Sequence, residues 1–369
     1  MSIDGSADAQ AGVPPGEAGA PVTPGLDVAR FEAWLRRTCP ELAGPGPLSA
    51  ALLTGGRSNV TYRVDGGRLP MVLRRPPLGH VQATAHDMAR EHRVISALEH
   101  SPVPVPRALA LHDDSDGTAG VGSPFFLMTR MPGQALAVRE QNAGYPPAGL
   151  HAISLELARL LAELHRLDPV GVGLDDFGRA DGYLARQIRR WGLQYDGSRS
   201  RELPRLDRLQ DRLRTRIPEQ SRAGLVHGDF RLDNALVHTP VPAAMPRISA
   251  ILDWELSSLG DTGVDVGLLW LSWELSAVIP RGAVSAVDPA AGYPPFGELL
   301  EAYCDVLGQS VPQLAWYRAF ATYKLAVIIE GVYFRHRSGD TVGTGFDGIG
   351  ELAEPLAADG LAHLARAVD

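Results

Sequence analysis

The chain has 369 residues, of which 45% are apolar, so it can bury one large core or the cores of two lobes. The formal net charge is −8, which argues against a general nucleic-acid-binding protein. Only two cysteines are present, Cys39 and Cys304, which excludes a disulfide scaffold and a cysteine-based zinc site and favours a reducing cytoplasm.

Residues 1–25 are rich in alanine, glycine and proline and contain almost no large apolar side chain. Such a segment cannot bury enough apolar surface to offset the entropy lost on ordering, so we predict a disordered tail. The segment also lacks the basic stretch followed by an apolar one that marks a signal peptide.

Short strands separated by turns are predicted next. The β-rich segments are Leu52–Thr54, Val60–Val64 and Met71–Leu73, and glycine pairs at 55–56 and 66–67 separate them. This alternation is typical of a small β-rich lobe.

A helix is then predicted from about Ala85 to Glu99, because Thr84 and Asp87 have the spacing of a capping box. Three apolar residues mark its buried face: Met88, Ile95 and Leu98. A buried strand is predicted from Val121 to Met131.

After Gly133 the pattern becomes helical. Apolar residues recur at helical spacing in one long segment, at Leu150, Ile153, Leu157, Leu160, Leu161 and Leu164. An arginine-rich helical stretch follows from about Gly182 to Ser221. Short β segments return at 224–226, 235–237 and 248–252, and the remainder is mostly helical.

The most apolar run of this helical remainder, Val264–Pro280, is interrupted by Asp265 and Glu274, so no membrane span is expected. The whole pattern indicates an α+β protein of two lobes. We predict a small β-rich N-lobe at residues 26–132, a hinge near 131–133 and a larger, mainly helical C-lobe at residues 133–369.

One segment carries the chemistry. The β segment that ends at His227 is followed by Asp229, and Asn234 comes five residues later. A second β segment, Ile248–Leu252, leads directly into Asp253. Phosphoryl transfer needs a carboxylate for the proton of the attacking hydroxyl and a separate group of oxygen ligands for Mg²⁺ on the phosphates. The spacing therefore indicates a phosphotransferase, although Asp and Asn are also ordinary turn residues.

The run from His227-Gly-Asp to Asn234, followed by Ile251-Leu-Asp-Trp-Glu255, is similar to the aminoglycoside phosphotransferase family. Within it, the chain most resembles the branch whose kinase-like domains accompany acyl-CoA dehydrogenases. Other segments that carry this resemblance lie along most of the chain, at 56–62, 72–77, 85–93, 191–195 and 259–261. The resemblance implies a two-lobed, protein-kinase-like fold that uses ATP and Mg²⁺.

The family's roles can be transferred to matching positions. Asp229 resembles the catalytic base, and Asn234 and Asp253 resemble the metal ligands. Asp265 resembles an acid that braces the catalytic loop, and His227 is expected to orient that loop rather than to carry a proton.

The nucleotide side departs from the usual kinase pattern. Kinase-like lobes place a lysine on the third strand, paired with a glutamate on the next helix. Here Arg74 resembles the lysine position, Arg75 faces the other way, and Glu91 lies on the inward face of the helix, where it can reach Arg74. The only lysine of the chain is Lys324, far downstream. A surface ion pair is the alternative for Arg74 and Glu91.

The resemblance implies further nucleotide contacts at two places in the chain. Three come from the glycine-rich loop and three from the hinge strand, namely Gly56, Ser58, Asn59, Met128, Thr129 and Met131. A plain hairpin is the alternative for the loop, and core packing is the alternative for Met128. Trp191 and Tyr195 share a helix face and belong either to a ligand pocket or to the core.

The charge distribution bears on the acceptor. Residues 179–222 contain twelve arginines and six acidic residues, whereas residues 283–369 contain eleven acidic residues and five basic ones. An arginine-rich surface disfavours a polycationic aminoglycoside and favours an anionic acceptor, such as a hydroxyacyl-CoA. The alternative is that these arginines only coat exposed helices.

The sequence therefore predicts an ATP-dependent kinase that phosphorylates a hydroxyl of a small molecule. An anionic or CoA-linked hydroxyacyl compound is one such acceptor. Two alternatives are an antibiotic kinase and a nucleotide- or CoA-binding regulatory module with weak catalysis. Protein phosphorylation is disfavoured, because no Ala-Pro-Glu anchor or long activation segment follows Asp253.

Overall fold

The computed structural model describes residues 23–53, 59–78, 87–241, 244–279, 285–339 and 348–366. These residues form two compact units. The smaller unit combines the described residues of Met1–His80 with His112–Phe125, and the larger combines those of Val81–Leu111 with Phe126–Asp369. The lobe boundary expected at residue 132 stays a prediction.

The smaller unit opens with a helix that the sequence patterns above did not include. Helix α1 (Val28–Thr38) begins at Asp27, whose carboxylate accepts the Arg30 N–H at 3.1 Å. Its buried face carries Phe31, Trp34 and Leu35 at helical spacing.

Three antiparallel strands follow in the smaller unit, in sequence order: β1 (Ser49–Leu52), β2 (Val60–Asp65) and β3 (Met71–Arg75). Tyr62, Val64 and Leu73 are fully buried among them. The predicted β-rich segments at 60–64 and 71–73 are therefore strands, and the first predicted segment begins three residues earlier than expected.

Helix α2 (Met88–Leu98) begins later than the sequence predicted. Asp87 is its N-cap, since its carboxylate accepts the Arg90 N–H at 2.9 Å. Thr84 and Ala85, the expected start, lie outside the described residues. Strand β4 (Ala108–His112) was not expected, and β5 (Phe125–Thr129), its neighbour, is shorter than the predicted strand at 121–131.

The larger unit holds long helices and short strands. The helices are α3 (Pro147–Arg166), α4 (Tyr183–Ser198), α5 (Pro204–Thr215), α6 (Gly263–Val278), α7 (Phe296–Leu307), α8 (Leu314–Arg337) and α9 (Ala353–Arg366). Helix α8 packs against α4, α5, α6 and α9. Within the described ranges, no helix is both long enough and apolar enough to cross a membrane.

The turn that carries Asp229 lies between two small sheets of the larger unit. Strand β8 (Ala235–His238) lies between β6 (Gln134–Ala135) and β9 (Arg247–Ile251). Strand β7 (Ala223–Val226) pairs with β10 (Ser258–Asp261) in antiparallel register. The chain from His227 to Asn234 therefore connects one sheet to the other, and Asp253 follows β9.

An ion pair between a half-buried arginine and a buried glutamate joins helix α8 to the segment between α4 and α5. The Glu330 carboxylate, fully buried, accepts hydrogen bonds from Arg201 Nε at 3.2 Å and from Arg201 Nη2 at 2.7 Å. Replacing Arg201 with methionine leaves that carboxylate buried and unpaired, so we expect the free energy of unfolding to fall by about 3 kcal/mol.

Urea unfolding would measure this loss. The matched control is Arg205→Met, because the Arg205–Glu354 pair is largely exposed, at 3.4 Å, and should contribute about 0.5 kcal/mol or less. Equal losses in the two variants would contradict the assignment of Arg201–Glu330 as a stabilising buried pair.

Candidate active site

The turn between β7 and β8 brings a glycine into close contact with the chain that follows β9. Gly228 has φ +86°, in the left-handed region, and a Cβ at this position would lie 2.8 Å from the carbonyl oxygen of Leu256. Only glycine fits such a position without strain. The local sequence therefore fixes the conformation of the turn that carries Asp229.

Asp265 on helix α6 accepts hydrogen bonds from this turn with both carboxylate oxygens. The His227 N–H donates to Oδ2 at 2.7 Å, and the Gly228 N–H donates to Oδ1 at 2.9 Å. His165 Nε2 also lies 3.3 Å from Oδ2. Burial alone would raise the pKa of Asp265, but the hydrogen bond and charge of His165, with the contribution of His227, outweigh it and lower the pKa. These contacts support the predicted bracing role.

His227 contacts the backbone through both ring nitrogens. The Asp229 N–H lies 3.2 Å from Nδ1, and Nε2 lies 3.0 Å from the carbonyl oxygen of Leu252. Because Nδ1 must accept, Nε2 carries the proton and donates. Burial lowers the pKa of His227, which favours this neutral form. The arrangement supports the prediction that His227 orients the loop, since neither nitrogen is left for proton transfer.

Lys324 is a site residue that the sequence did not reveal. From helix α8 its Nζ donates to the carbonyl oxygen of Gly228 at 2.8 Å, and it lies 5.5 Å from the centre of the Trp191 ring. Burial lowers the pKa of the amine, although Asp229 and Asp265 oppose this effect. Nothing in the local sequence of α8 connects it to a turn almost a hundred residues upstream.

The Asp229 side chain lies between an amide and a guanidinium group. Asn234 Nδ2 donates to the Asp229 carbonyl oxygen at 2.8 Å and to its Oδ2 at 3.0 Å. Arg231 Nε lies 3.2 Å from Oδ1, and Arg231 Nη2 lies 2.9 Å from Asp233 Oδ2. The Asp229 side chain keeps 29% of its accessible surface, so a hydroxyl can reach the carboxylate.

Asp253 lies next to the same turn. The backbone N–H of Leu252 donates to the carbonyl oxygen of Asn234 at 2.8 Å, which places the residue after Leu252 beside Asn234. Asp253 has φ +66°, a left-handed conformation that only Gln313 shares among the described non-glycine residues. Such backbone conformations often mark functional positions.

The donor atoms of Asn234 and Asp253 suit a hard cation. Because Asn234 Nδ2 is held by Asp229, the amide oxygen is the atom that Asn234 can offer to a cation. Asp253 adds a carboxylate, and an amide with a carboxylate suits Mg²⁺. Over the described ranges, no three His, Cys, Asp or Glu side chains cluster as metal ligands, so a cation here would depend on this pair and on phosphate oxygens.

The structure describes some of the predicted nucleotide-binding residues and not others. Arg74 is half-buried on β3, whereas Arg75 is buried on the other face and donates to the carbonyl oxygens of Gly25 and Val121, each at 2.6 Å. Arg75 therefore has a structural role. Asn59 precedes β2 and Glu91 lies on α2, and both are buried. Gly56 and Ser58 lie outside the described residues, and the pairing of Arg74 with Glu91 stays a prediction.

The hinge strand offers fewer backbone groups for binding adenine than the sequence predicted. Met128 is buried in β5, and Met131 follows the strand, half-buried. The Thr129 N–H donates to the carbonyl oxygen of Arg107 at 2.9 Å, and Thr129 Oγ1 accepts the Arg107 N–H at 2.8 Å. The Thr129 amide is therefore already used, so any contact of this residue with adenine would come from its carbonyl oxygen.

The arginine-rich stretch forms α4 and α5 and is partly neutralised. Several of its arginines are ion-paired, namely Arg199 with Asp207, Arg201 with Glu330, Arg205 with Glu354 and Arg214 with Asp211. Tyr195 is fully buried and donates to Asp207, which makes it a core residue. The formal charge of the stretch therefore overstates the charge that a ligand would meet.

Comparison with known proteins gives one matching family. The model of the phosphotransferase enzyme family matches residues 49–316. Acyl-CoA dehydrogenase family member 10 of Mus musculus is 34% identical over 85% of this chain, and acyl-CoA dehydrogenase family member 11 of Gallus gallus is 32% identical over 91%. The chain spans only 29% and 43% of the length of these two relatives.

Solved structures agree on the fold. A protein of Ralstonia eutropha JMP134, provisionally named an aminoglycoside phosphotransferase, is 32% identical with a TM-score of 0.76, covering 92% of this chain and 98% of its own. A GDP and kanamycin complex of an aminoglycoside phosphotransferase is 17% identical with a TM-score of 0.58, covering 90% and 98%. The predicted α+β, kinase-like fold is confirmed.

Proposed function

Because the chain belongs to the phosphotransferase enzyme family, we propose that it transfers the terminal phosphoryl group of ATP to a hydroxyl of a small molecule. The observation that carries the proposal is the placement of Asp229. A tightly held turn presents its partly exposed carboxylate beside Asn234, and Asp253 follows the neighbouring strand.

Each of the three residues has a proposed task. Asp229 accepts the proton of the acceptor hydroxyl as the hydroxyl oxygen bonds to the phosphorus and the bond to ADP breaks. Asn234 and Asp253 would hold Mg²⁺ through their oxygen atoms. When bound, the cation neutralises charge on the phosphates. Asn234 has a second task, because its amide N–H groups fix the orientation of Asp229.

One exposed cation beside Asp229 favours an anionic acceptor. Arg231 lies 3.2 Å from the Asp229 carboxylate, and its side chain keeps 40% of its accessible surface. The exposed part of this guanidinium would attract the phosphates of coenzyme A and repel a polycationic aminoglycoside.

The names of two relatives also favour a CoA-linked acceptor. The two curated relatives are named as acyl-CoA dehydrogenase family members, which agrees with a hydroxyacyl-CoA acceptor. Aminoglycosides occur in solved relatives that are 16–17% identical to this chain, and that level of identity supports the fold alone. We therefore propose a CoA-linked hydroxyacyl acceptor for this chain.

An ADP-release assay with a matched acceptor series would test both parts. The series is a hydroxyacyl-CoA, the same hydroxyacyl group on pantetheine, the free hydroxy acid and kanamycin. We expect kcat/KM for the CoA thioester to exceed that for the free acid by about tenfold or more, and added salt to shrink the difference.

A preference for the CoA thioester could come from the thioester group or from the nucleotide phosphates of coenzyme A. The pantetheine thioester separates these explanations, because it keeps the thioester and lacks the nucleotide phosphates. Equal kcat/KM for CoA thioester and free acid would contradict the CoA-linked acceptor while leaving phosphoryl transfer in place. ADP release at the background rate with every acceptor would contradict the phosphotransferase itself.

A further inference from the structure

The peptide unit between Gly228 and Asp229 is held at both ends. Its carbonyl oxygen accepts a hydrogen bond from Lys324 Nζ at 2.8 Å, and its N–H lies 3.2 Å from His227 Nδ1. Glycine imposes little resistance to rotation of the adjoining peptide plane. Without the lysine, this plane could turn and carry the Asp229 side chain away from Asn234.

A single carbonyl tether does not require a charged group. Burying an ammonium costs several kcal/mol, and a hydroxyl or amide could donate the same hydrogen bond. Within the described part of the chain, Lys324 has one hydrogen-bond acceptor and no carboxylate at ion-pair distance, and the aromatic ring of Trp191 lies 5.5 Å from Nζ. The carboxylates whose charges support the ammonium are Asp229 and Asp265.

We propose that Lys324 is a positioning residue of the phosphoryl-transfer site, whose ammonium group fixes the Gly228 carbonyl and places a positive charge near the Asp229 carboxylate. The inference rests on the proposed function, since it assigns Asp229 as the base. Lys324 acts through the turn and does not itself touch the substrate.

Lys324→Met tests the inference by activity, because methionine fills a similar volume and lacks both the charge and the N–H donors. We expect kcat to fall about 10- to 100-fold, the effect of a small misplacement of a reacting group, with an unchanged KM for ATP. The matched control is Tyr323→Phe, one residue away on α8. The Tyr323 hydroxyl is buried and has no hydrogen-bond partner among the described residues, so this variant should keep the wild-type kcat.

A second measurement uses the fact that the chain has one lysine. In protein labelled with ¹³C at lysine Cε, NMR shows a single lysine resonance. We expect this resonance to shift in Asp229→Asn, because the charge of Asp229 acts on Lys324, and to stay in place in the remote control Glu354→Gln.

Two results would overturn the inference: a Lys324→Met enzyme with wild-type kcat, or a lysine resonance that is identical in wild type and Asp229→Asn. The NMR comparison decides the matter even where Lys324→Met fails to fold. It also needs no substrate, so a protein without turnover on any acceptor would contradict the proposed function alone.

Discussion

Asparagine in place of Asp229 is expected to lower kcat by about 10²- to 10⁴-fold, the usual contribution of a general base. The change keeps the shape of the side chain, and its carbonyl oxygen can still accept the Asn234 Nδ2 hydrogen bond now made at 3.0 Å. The variant therefore loses the proton acceptor while the fold and the KM for ATP stay the same.

Single-turnover kinetics with the best acceptor would isolate the chemical step from product release. Asp233→Asn is a suitable control, because Asp233 lies on the same loop and contacts the same arginine, at 2.9 Å, and has no proposed role in the chemistry. Its kcat should fall by a few-fold at most. Wild-type turnover in Asp229→Asn would show that another group accepts the proton.

Asp265→Asn should lower both stability and kcat. The carboxylate accepts two backbone N–H groups of the turn and also contacts His165 Nε2, all in the buried interior. An amide has one accepting oxygen, so its NH₂ group would face a buried donor. We expect the free energy of unfolding to fall by about 3 kcal/mol or more and kcat to fall with it.

The loss of stability should depend on pH. The pKa of Asp265 is lowered in the folded protein from its ordinary value of 3.8, so its ionised form stabilises the fold above that pH. The contribution disappears as the pH falls through the lowered pKa. Urea unfolding across this range should therefore show the wild type and Asp265→Asn converging in acid.

Glu156→Gln is the matched control for Asp265→Asn. Burial raises the pKa of Glu156, and its carboxylate accepts a single backbone N–H, from Ile248 at 3.0 Å. Removing that charge should change the free energy of unfolding by less than about 1 kcal/mol at neutral pH. Stability losses of equal size in the two variants would contradict the special role of Asp265.

The candidate catalytic segment stands out in the sequence because its signals are local. The β segment before His227, the interval from Asp229 to Asn234 and the β segment before Asp253 lie within thirty residues of sequence. Helix α1 also had local signals, namely Asp27 at its start and the apolar spacing of Phe31, Trp34 and Leu35. A systematic search for capped amphipathic segments would have found it.

Other features could not be predicted because they depend on contacts between distant segments. Lys324 meets Gly228 only when α8 packs in the larger unit, and His165 meets Asp265 from a helix about a hundred residues upstream. The use of the Thr129 N–H by Arg107 likewise depends on how two chain segments pair. Periodicity and spacing describe single elements, so they carry no information about such partners.

The left-handed backbone at Asp253 sets local stability against the cation-binding role proposed for this residue. Glycine or asparagine adopts a φ of +66° more readily than aspartate does, and the conformation costs an aspartate about 1 kcal/mol. Neither substitute would bring a negative charge to a cation. On the proposed role of Asp253 as a metal ligand, selection for stability alone would drive this position away from aspartate, and selection for cation binding would keep it. The identity of this residue would then separate active relatives from inactive ones.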